Sequence, residues 1–295
     1  MRKQFKDTVL SIAEEDEKVT VLLGDVSVYM FNDFSTRYPS RFYNLGICEN
    51  TLISVAGGMA SCGMFPFVHT IAPFLTERCY EQIKLDMCYN DFGGNIITCG
   101  ASFDYAWDGS THHCFTDLAL ISMLPDTQCF QPGSRAEVDS ILRATYDNGK
   151  TTYIRLSDHP HTIETNLEVG KGTVIRESES SKFCIITAGP LLPNVIEAVK
   201  DLDVSILYFH SIKPLDTELL DKFSCKNLVV VHDAFGLKEM IQRHLPVPVY
   251  FHGITEEFLS CYGSMEQVRE SIGLDPVGIK RFVTKLASEL DGEKS

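Results

Sequence analysis

The residues best suited to chemistry fall in three short strings. The first, RFYNLGICEN at 41–50, leads into Glu49, and a helix-period segment follows with Ala56, Gly57, Gly58 and Ala60 on its middle turns. An acid there suits the positive end of a helix dipole, and that structural role stands beside a functional one. Each glycine costs a helix interior about 1 kcal/mol relative to alanine, so the pair implies close approach of another helix or of a ligand. The second string, HTIAPFLTERCYEQIKLDMCYN at 69–90, sets Phe74, Tyr80, Ile83 and Met87 on one stripe, which taken alone reads as core packing. The third, ASFDYAWDGSTHHCFTDLAL at 101–120, holds the turn signal Asp108-Gly109, then His112, His113, Cys114 and Asp117. Their types allow a metal, but their spacing fits no common zinc pattern. A loop presenting polar groups to a substrate fits better.

The whole chain bounds these readings. It has 295 residues, 44% hydrophobic and 22% charged, the balance of a folded protein of about two domains. A net charge of -14 with scattered Lys and Arg argues against nucleic acid, which needs a basic face. Ten cysteines occur without a CxxC pair, several inside apolar runs, as buried free thiols of a reducing compartment would. The first residues read as an amphipathic helix rather than a signal peptide, and no apolar run approaches the roughly 18 residues of a membrane span. A cytoplasmic protein is expected. There is no Walker A string, no GxGxxG after a strand and no GxSxG elbow.

Strand and helix signals alternate. Short β-branched runs at 19–23, 95–99, 152–156, 183–188, 204–209, 228–232 and 249–252 suit strands buried on both faces. Helix-period segments lie at 49–62, 74–89, 135–146, 192–202 and 277–290. This is an α/β pattern: two open, mainly parallel-sheet domains. The polar, proline-bearing stretch at 158–171 marks the boundary, giving domains 1–165 and 172–295.

Taken together and in order, the motifs resemble the C-terminal half of transketolase, a pyrimidine-binding domain followed by a C-terminal domain. The matching strings are GDVS at 24–27, RFYNLGICEN at 41–50, PFVHTIAPFLTERCYEQI at 66–83, DGSTHH at 108–113 and YIRL at 153–156. IITAGP at 185–190, IKPLD at 212–216, VVVHDAFGLK at 229–238 and GITEEF at 253–258 look like the second domain in divergent form. The resemblance implies thiamine diphosphate, whose own chemistry the protein positions. It implies that Glu49 hydrogen-bonds the pyrimidine nitrogen and shares a proton there, and that Phe74 stacks on the ring with Ile71 beside it. Asp25 lies near the cofactor by the same likeness, His112 contacts the donor sugar, and Asp108 reads a substrate hydroxyl.

Departures from the pattern carry information. The family binds the diphosphate and Mg²⁺ through a GDG motif with a later asparagine, and this chain has no such motif. A separate subunit carrying GDG…N is therefore expected, with Mg²⁺ bound on it, in a heterotetramer of two copies of each chain. Gly100 and Asp158 stand where the resembled enzymes commonly carry a histidine and an arginine that hold a substrate phosphate. An acid in place of a cation reverses the sign of that contact, so Asp158 is expected to accept bonds from sugar hydroxyls. Arg155 matches a different arginine. The expected function is the small subunit of a split transketolase-like transferase moving a two-carbon ketol unit between sugars. The alternatives are the beta chain of a 2-oxo acid dehydrogenase and a non-catalytic partner that kept the fold.

Overall fold

The computed structural model describes residues 1–292. Twelve strands run in chain order as β1 (Val19–Leu23), β2 (Phe42–Asn44), β3 (Phe65–Ile71), β4 (Gly94–Cys99), β5 (Thr127–Phe130), β6 (Thr151–Arg155), β7 (Thr173–Arg176), β8 (Phe183–Ala188), β9 (Ser205–Phe209), β10 (Ser211–Lys213), β11 (Asn227–His232) and β12 (Val249–Gly253). They form two sheets, β10-β5-β6-β4-β3-β1-β2 and β12-β11-β8-β9-β7. Every pairing is parallel except β10 with β5 and β7 with β9. The expected α/β class with mainly parallel sheets is what the chain adopts. The central strands β1, β4 and β8 are buried along their whole length, which is why they appear in the sequence as apolar, β-branched-rich runs without a charged residue.

One expectation changes, and the close approach inferred from the glycine pair is found at Gly57. The segment read as one helix over 74–89 is three pieces: Ala72–Thr76, Tyr80–Gln82 and a π-helical stretch Ile83–Tyr89. Residues 77–79 form a break between the first two. Of the small residues in the Glu49–Ser61 helix, Gly57 meets this segment, while a Cβ on Gly58 would meet nothing within 4 Å. A Cβ on Gly57 would lie 2.7 Å from the Asp86 carbonyl oxygen, so only glycine lets the two backbones approach so closely. Ser54 Oγ donates to Asp86 Oδ2 at 2.5 Å in the same contact.

The two sheets are joined by both oil and charge. One apolar cluster runs from Leu118 and Cys129 of the first half to Ile186 and Leu237 of the second. Beside it Arg155, at 0% exposed, lies 3.1 Å from Asp117 Oδ2 and 3.6 Å from Asp233 Oδ1. Its Nη2 donates to Ser102 Oγ at 2.6 Å and to the Cys114 carbonyl at 2.9 Å. Gln131 completes the joint, donating to Asp233 Oδ1 at 3.1 Å while its own oxygen lies 2.6 Å from His232 Nε2. No helix of the described residues is long and apolar enough to cross a membrane.

Candidate active site

The residues singled out by chemistry lie at the carboxyl ends of parallel strands of the first sheet, where open α/β sheets bind ligands. Asp25 follows β1, Ile71 ends β3 with Phe74 just beyond, the 101–115 loop follows β4, and Asp158 follows β6.

Glu49 is the first residue of its helix and only 3% exposed. Its Oε2 accepts from Arg78 Nη1 at 2.7 Å. The Arg78 guanidinium in turn lies over the Phe74 ring, 4.6 Å from its centroid. His112 meets Phe74 edge-on with ring centroids 5.2 Å apart, and its Nδ1 is 2.9 Å from Thr111 Oγ1. The fold thus brings Glu49, Phe74 and His112 into one row, with Arg78 joining the first two. Arg78 sits in the helix break, and its backbone is pinned. Asn50 Nδ2 donates to its carbonyl at 3.2 Å, and its N–H donates to the Pro73 carbonyl at 3.2 Å.

Ile71 faces a second group. Gly100 has φ +73°, and a Cβ there would lie 2.7 Å from Tyr105 Cε2 and 3.2 Å from Ile71 Cγ2. The Tyr105 ring fills the place a larger residue at 100 would take. Tyr105 donates from its hydroxyl to Cys99 Sγ at 3.4 Å, and burial pushes the Cys99 thiol up to about 11.

Asp158 is not the isolated carboxylate that the sequence suggests. Arg2 grips both its oxygens, Nη2 to Oδ2 at 2.9 Å and Nε to Oδ1 at 3.2 Å. The acid at 158 therefore carries its own cation, and the pair as a whole need not repel a phosphate. Beneath this pair lies Asp104, accepting from the Asp158 N–H and from Ser157 Oγ, each at 2.9 Å. Burial pushes the Asp104 carboxyl up to about 7. Arg2 also shares a cavity of about 480 Å³ with Asp25, Ser27 and Tyr29. Asp25 holds a left-handed φ of 60° and exchanges two bonds with the Asn44 amide, at 3.0 and 3.1 Å. Below it Ser27 Oγ lies 3.1 Å from His69 Nε2, and burial takes the His69 imidazole down to about 4. Asp108 is exposed on the loop next to Trp107, apart from the hydrogen bonds and ring contacts that join the Glu49 row among the described residues.

The four potential ligands at 112–117 diverge. His113 packs on Phe115, Cys114 approaches Thr76 Oγ1 at 3.8 Å, and Asp117 is held by Arg155. Among the described residues no group of three or more His, Cys, Asp or Glu could hold a metal ion. Four residues of the site escaped sequence reasoning: Arg2, Arg78, Asp104 and Tyr105. Arg78 carried a signal, since it stands four residues after Phe74, the spacing that stacks side chains on a helix face.

Known proteins resemble this chain in sequence and in fold. Residues 1–159 match the family model "Transketolase, pyrimidine binding domain". An uncharacterized 33.6 kDa protein in the fasciation locus of Rhodococcoides fascians is 33% identical over 217 residues, covering 72% of this chain and 67% of its own. One of the subunits of the apulose-4-phosphate transketolase of Phocaeicola vulgatus is 26% identical, covering 94% of each chain. A solved structure described as "Split gene transketolase, inactive beta4 tetramer" superposes with a TM-score of 0.85 at 28% identity, over 96% of this chain and 97% of that one. The chain spans about half the length of the 1-deoxy-D-xylulose-5-phosphate synthases that it matches, 48% of that from Clostridium botulinum. With the family model covering more than half of its residues and these two relatives of similar length matching nearly end to end, the chain belongs to the transketolase family and corresponds to its C-terminal half.

Proposed function

We propose that this chain is the small subunit of a split, thiamine diphosphate-dependent transketolase-like enzyme that moves a two-carbon ketol unit between sugar-type substrates. The observation that carries the reading is the row of Glu49, Phe74 and His112 at the strand ends. A buried carboxylate at a helix start beside an aromatic face suits a nitrogen-bearing ring, so the pyrimidine half of the cofactor fits the residues present. When bound, the cofactor supplies the carbanion chemistry of the transfer. Glu49 would then bond the ring nitrogen through its carboxyl and exchange a proton with it. Phe74 and Ile71 would give the ring an apolar seat, and Asp25, in the cavity it shares with Arg2, would lie on the cofactor side. His112, with Nδ1 on Thr111, offers its other nitrogen to sugar oxygens. Asp108 stands free to accept from a substrate hydroxyl, and Asp158 enters the substrate side as the partner of Arg2.

The diphosphate and Mg²⁺ belong in this reading to a second subunit with the GDG…N motif, two copies of each chain forming the cytoplasmic enzyme. The domain limits 1–165 and 172–295 are part of the same proposal. The related split transketolase whose beta chains form an inactive tetramer supports the need for a partner. The test is co-expression with the diphosphate-binding subunit and steady-state kinetics of Glu49→Gln. The amide cannot supply the proton, so turnover should fall about 100- to 10,000-fold with the circular dichroism spectrum unchanged. Near-normal turnover in the folded complex would remove Glu49 from the mechanism.

A further inference from the structure

We propose that Arg78 is a placeholder, its guanidinium taking the seat between Glu49 and Phe74 while the cofactor is absent and swinging out before that seat is filled. The inference rests on reading those two residues as the pair that holds the pyrimidine. Both are engaged by one planar group: Nη1 donates to Glu49 Oε2 at 2.7 Å, and the same guanidinium lies 4.6 Å over the Phe74 ring. A flat, delocalised side chain with N–H donors makes the two contacts, a stack and a bond to the carboxylate, that a flat heterocycle would make. Glu49 and Phe74 cannot serve both partners at once.

The surroundings let the side chain leave and keep the backbone still. The Arg78 side chain is 45% exposed, so its outward path opens to solvent. Its main chain is anchored at the N–H by Pro73 and at the carbonyl by Asn50, whose amide also donates to Gln82 Oε1 at 2.8 Å. The neighbouring acid Glu77 is turned to the 114–116 loop, its Oε1 accepting from Thr116 Oγ1 at 2.6 Å, and makes no ion pair with Arg78 among the described residues. The side chain therefore has two states, seated and withdrawn, and the seated one lowers the apparent affinity by the fraction of molecules it occupies. It also keeps a buried carboxylate paired when no ligand is present, which avoids the cost of an unpaired buried charge.

The experiment is isothermal calorimetry of thiamine diphosphate with Mg²⁺ on the co-purified two-subunit complex. It compares the native chain with Arg78→Ala, Arg78→Lys, Glu49→Gln and Phe74→Ala. Alanine removes the placeholder, and lysine keeps the charge without the planar stack. Both should bind the cofactor more tightly, by about three- to thirty-fold. Weaker binding by the alanine variant with native binding by the lysine variant would make Arg78 a simple attractor for the anionic cofactor and overturn the proposal. Native affinity in both would overturn it as well. The reading beneath it is tested separately: Glu49→Gln and Phe74→Ala should weaken binding. If neither does, the pyrimidine seat lies elsewhere and the proposal falls with it.

Discussion

Arg155 and Arg78 both face carboxylates, and their surroundings give them opposite work. Arg155 has no exposed surface and lies among Asp117, Asp233, Ser102 and the Cys114 carbonyl, groups drawn from both halves of the chain. Nothing in that cage can move without stranding a charge in a dry interior. Arg78 has one carboxylate and one ring for partners and water on its open side. The contrast teaches that a carboxylate–guanidinium pair is read from what else surrounds it. A dry, caged pair fastens elements, and a half-wet pair over an aromatic ring can be exchanged for a ligand.

Three measurements bear on that contrast. The largest effect is expected at the dry pair. Arg155→Ala leaves Asp117 and Asp233 buried without their cation and should cost about 3–5 kcal/mol of unfolding free energy, measured by urea denaturation. A loss below about 1 kcal/mol would mean the joint is held by its apolar cluster alone. An intermediate effect is expected at Asp104, a buried acid without a cation of its own. Its folded pKa of about 7 lies above its ordinary 3.8, so its contribution is full below about pH 4 and is lost as pH rises to about 7. His69 and His232, held down to about 4 by burial from an ordinary 6.5, work in the other direction: the protein gains stability from them as pH rises through 4 to 6.5. Asp104→Asn removes the opposing slope, so stability measured by urea midpoints should climb more steeply between pH 4 and 6.5 than in the native chain. An unchanged slope would show that Asp104 is not carrying a proton in that range. The smallest effect is expected at the wet pair. Arg78→Gln keeps a hydrogen-bond donor for the buried Glu49 but removes its cation, and should cost only about 1 kcal/mol of unfolding free energy because water reaches the open side. A loss of about 2 kcal/mol or more would place Arg78 with Arg155 as a fastener.

Legibility in the sequence followed the same division. Strands buried on both faces were plain: β1 and β8 coincide with the runs at 19–23 and 183–188, because burial on two sides leaves each run with one uncharged threonine as its polar residue. β3 was hidden, since Pro66 and His69 interrupt an otherwise apolar string, although its middle five residues are buried. The edge strands β7 and β10 are short and partly exposed, and so carry little periodicity. The break at 77–79 was invisible because the apolar stripe from Phe74 to Met87 continues across it. Among site residues, Glu49, Phe74 and His112 were legible as motif positions and do fall together. Arg2, Arg78 and Asp104 were not, because a charged residue in a polar stretch looks like solvated surface until its partner, 156 residues away for Arg2, is brought beside it.

The three residues 211–213 have a consequence for how this protein can be divided. After β9, and before the second sheet gains β11 and β12, the chain crosses back and lays Ser211–Lys213 antiparallel along β5. The first sheet thereby ends in a three-residue rim whose lysine reaches the Leu124 carbonyl at 2.6 Å and Thr127 Oγ1 at 3.0 Å. Cut at the polar stretch before 172, the first half would expose β5 as a bare template for any passing strand. Recombination between relatives must therefore carry the two halves together. A crossover that exchanges the second sheet alone has to bring a rim that fits β5, or it leaves the first sheet with an open edge.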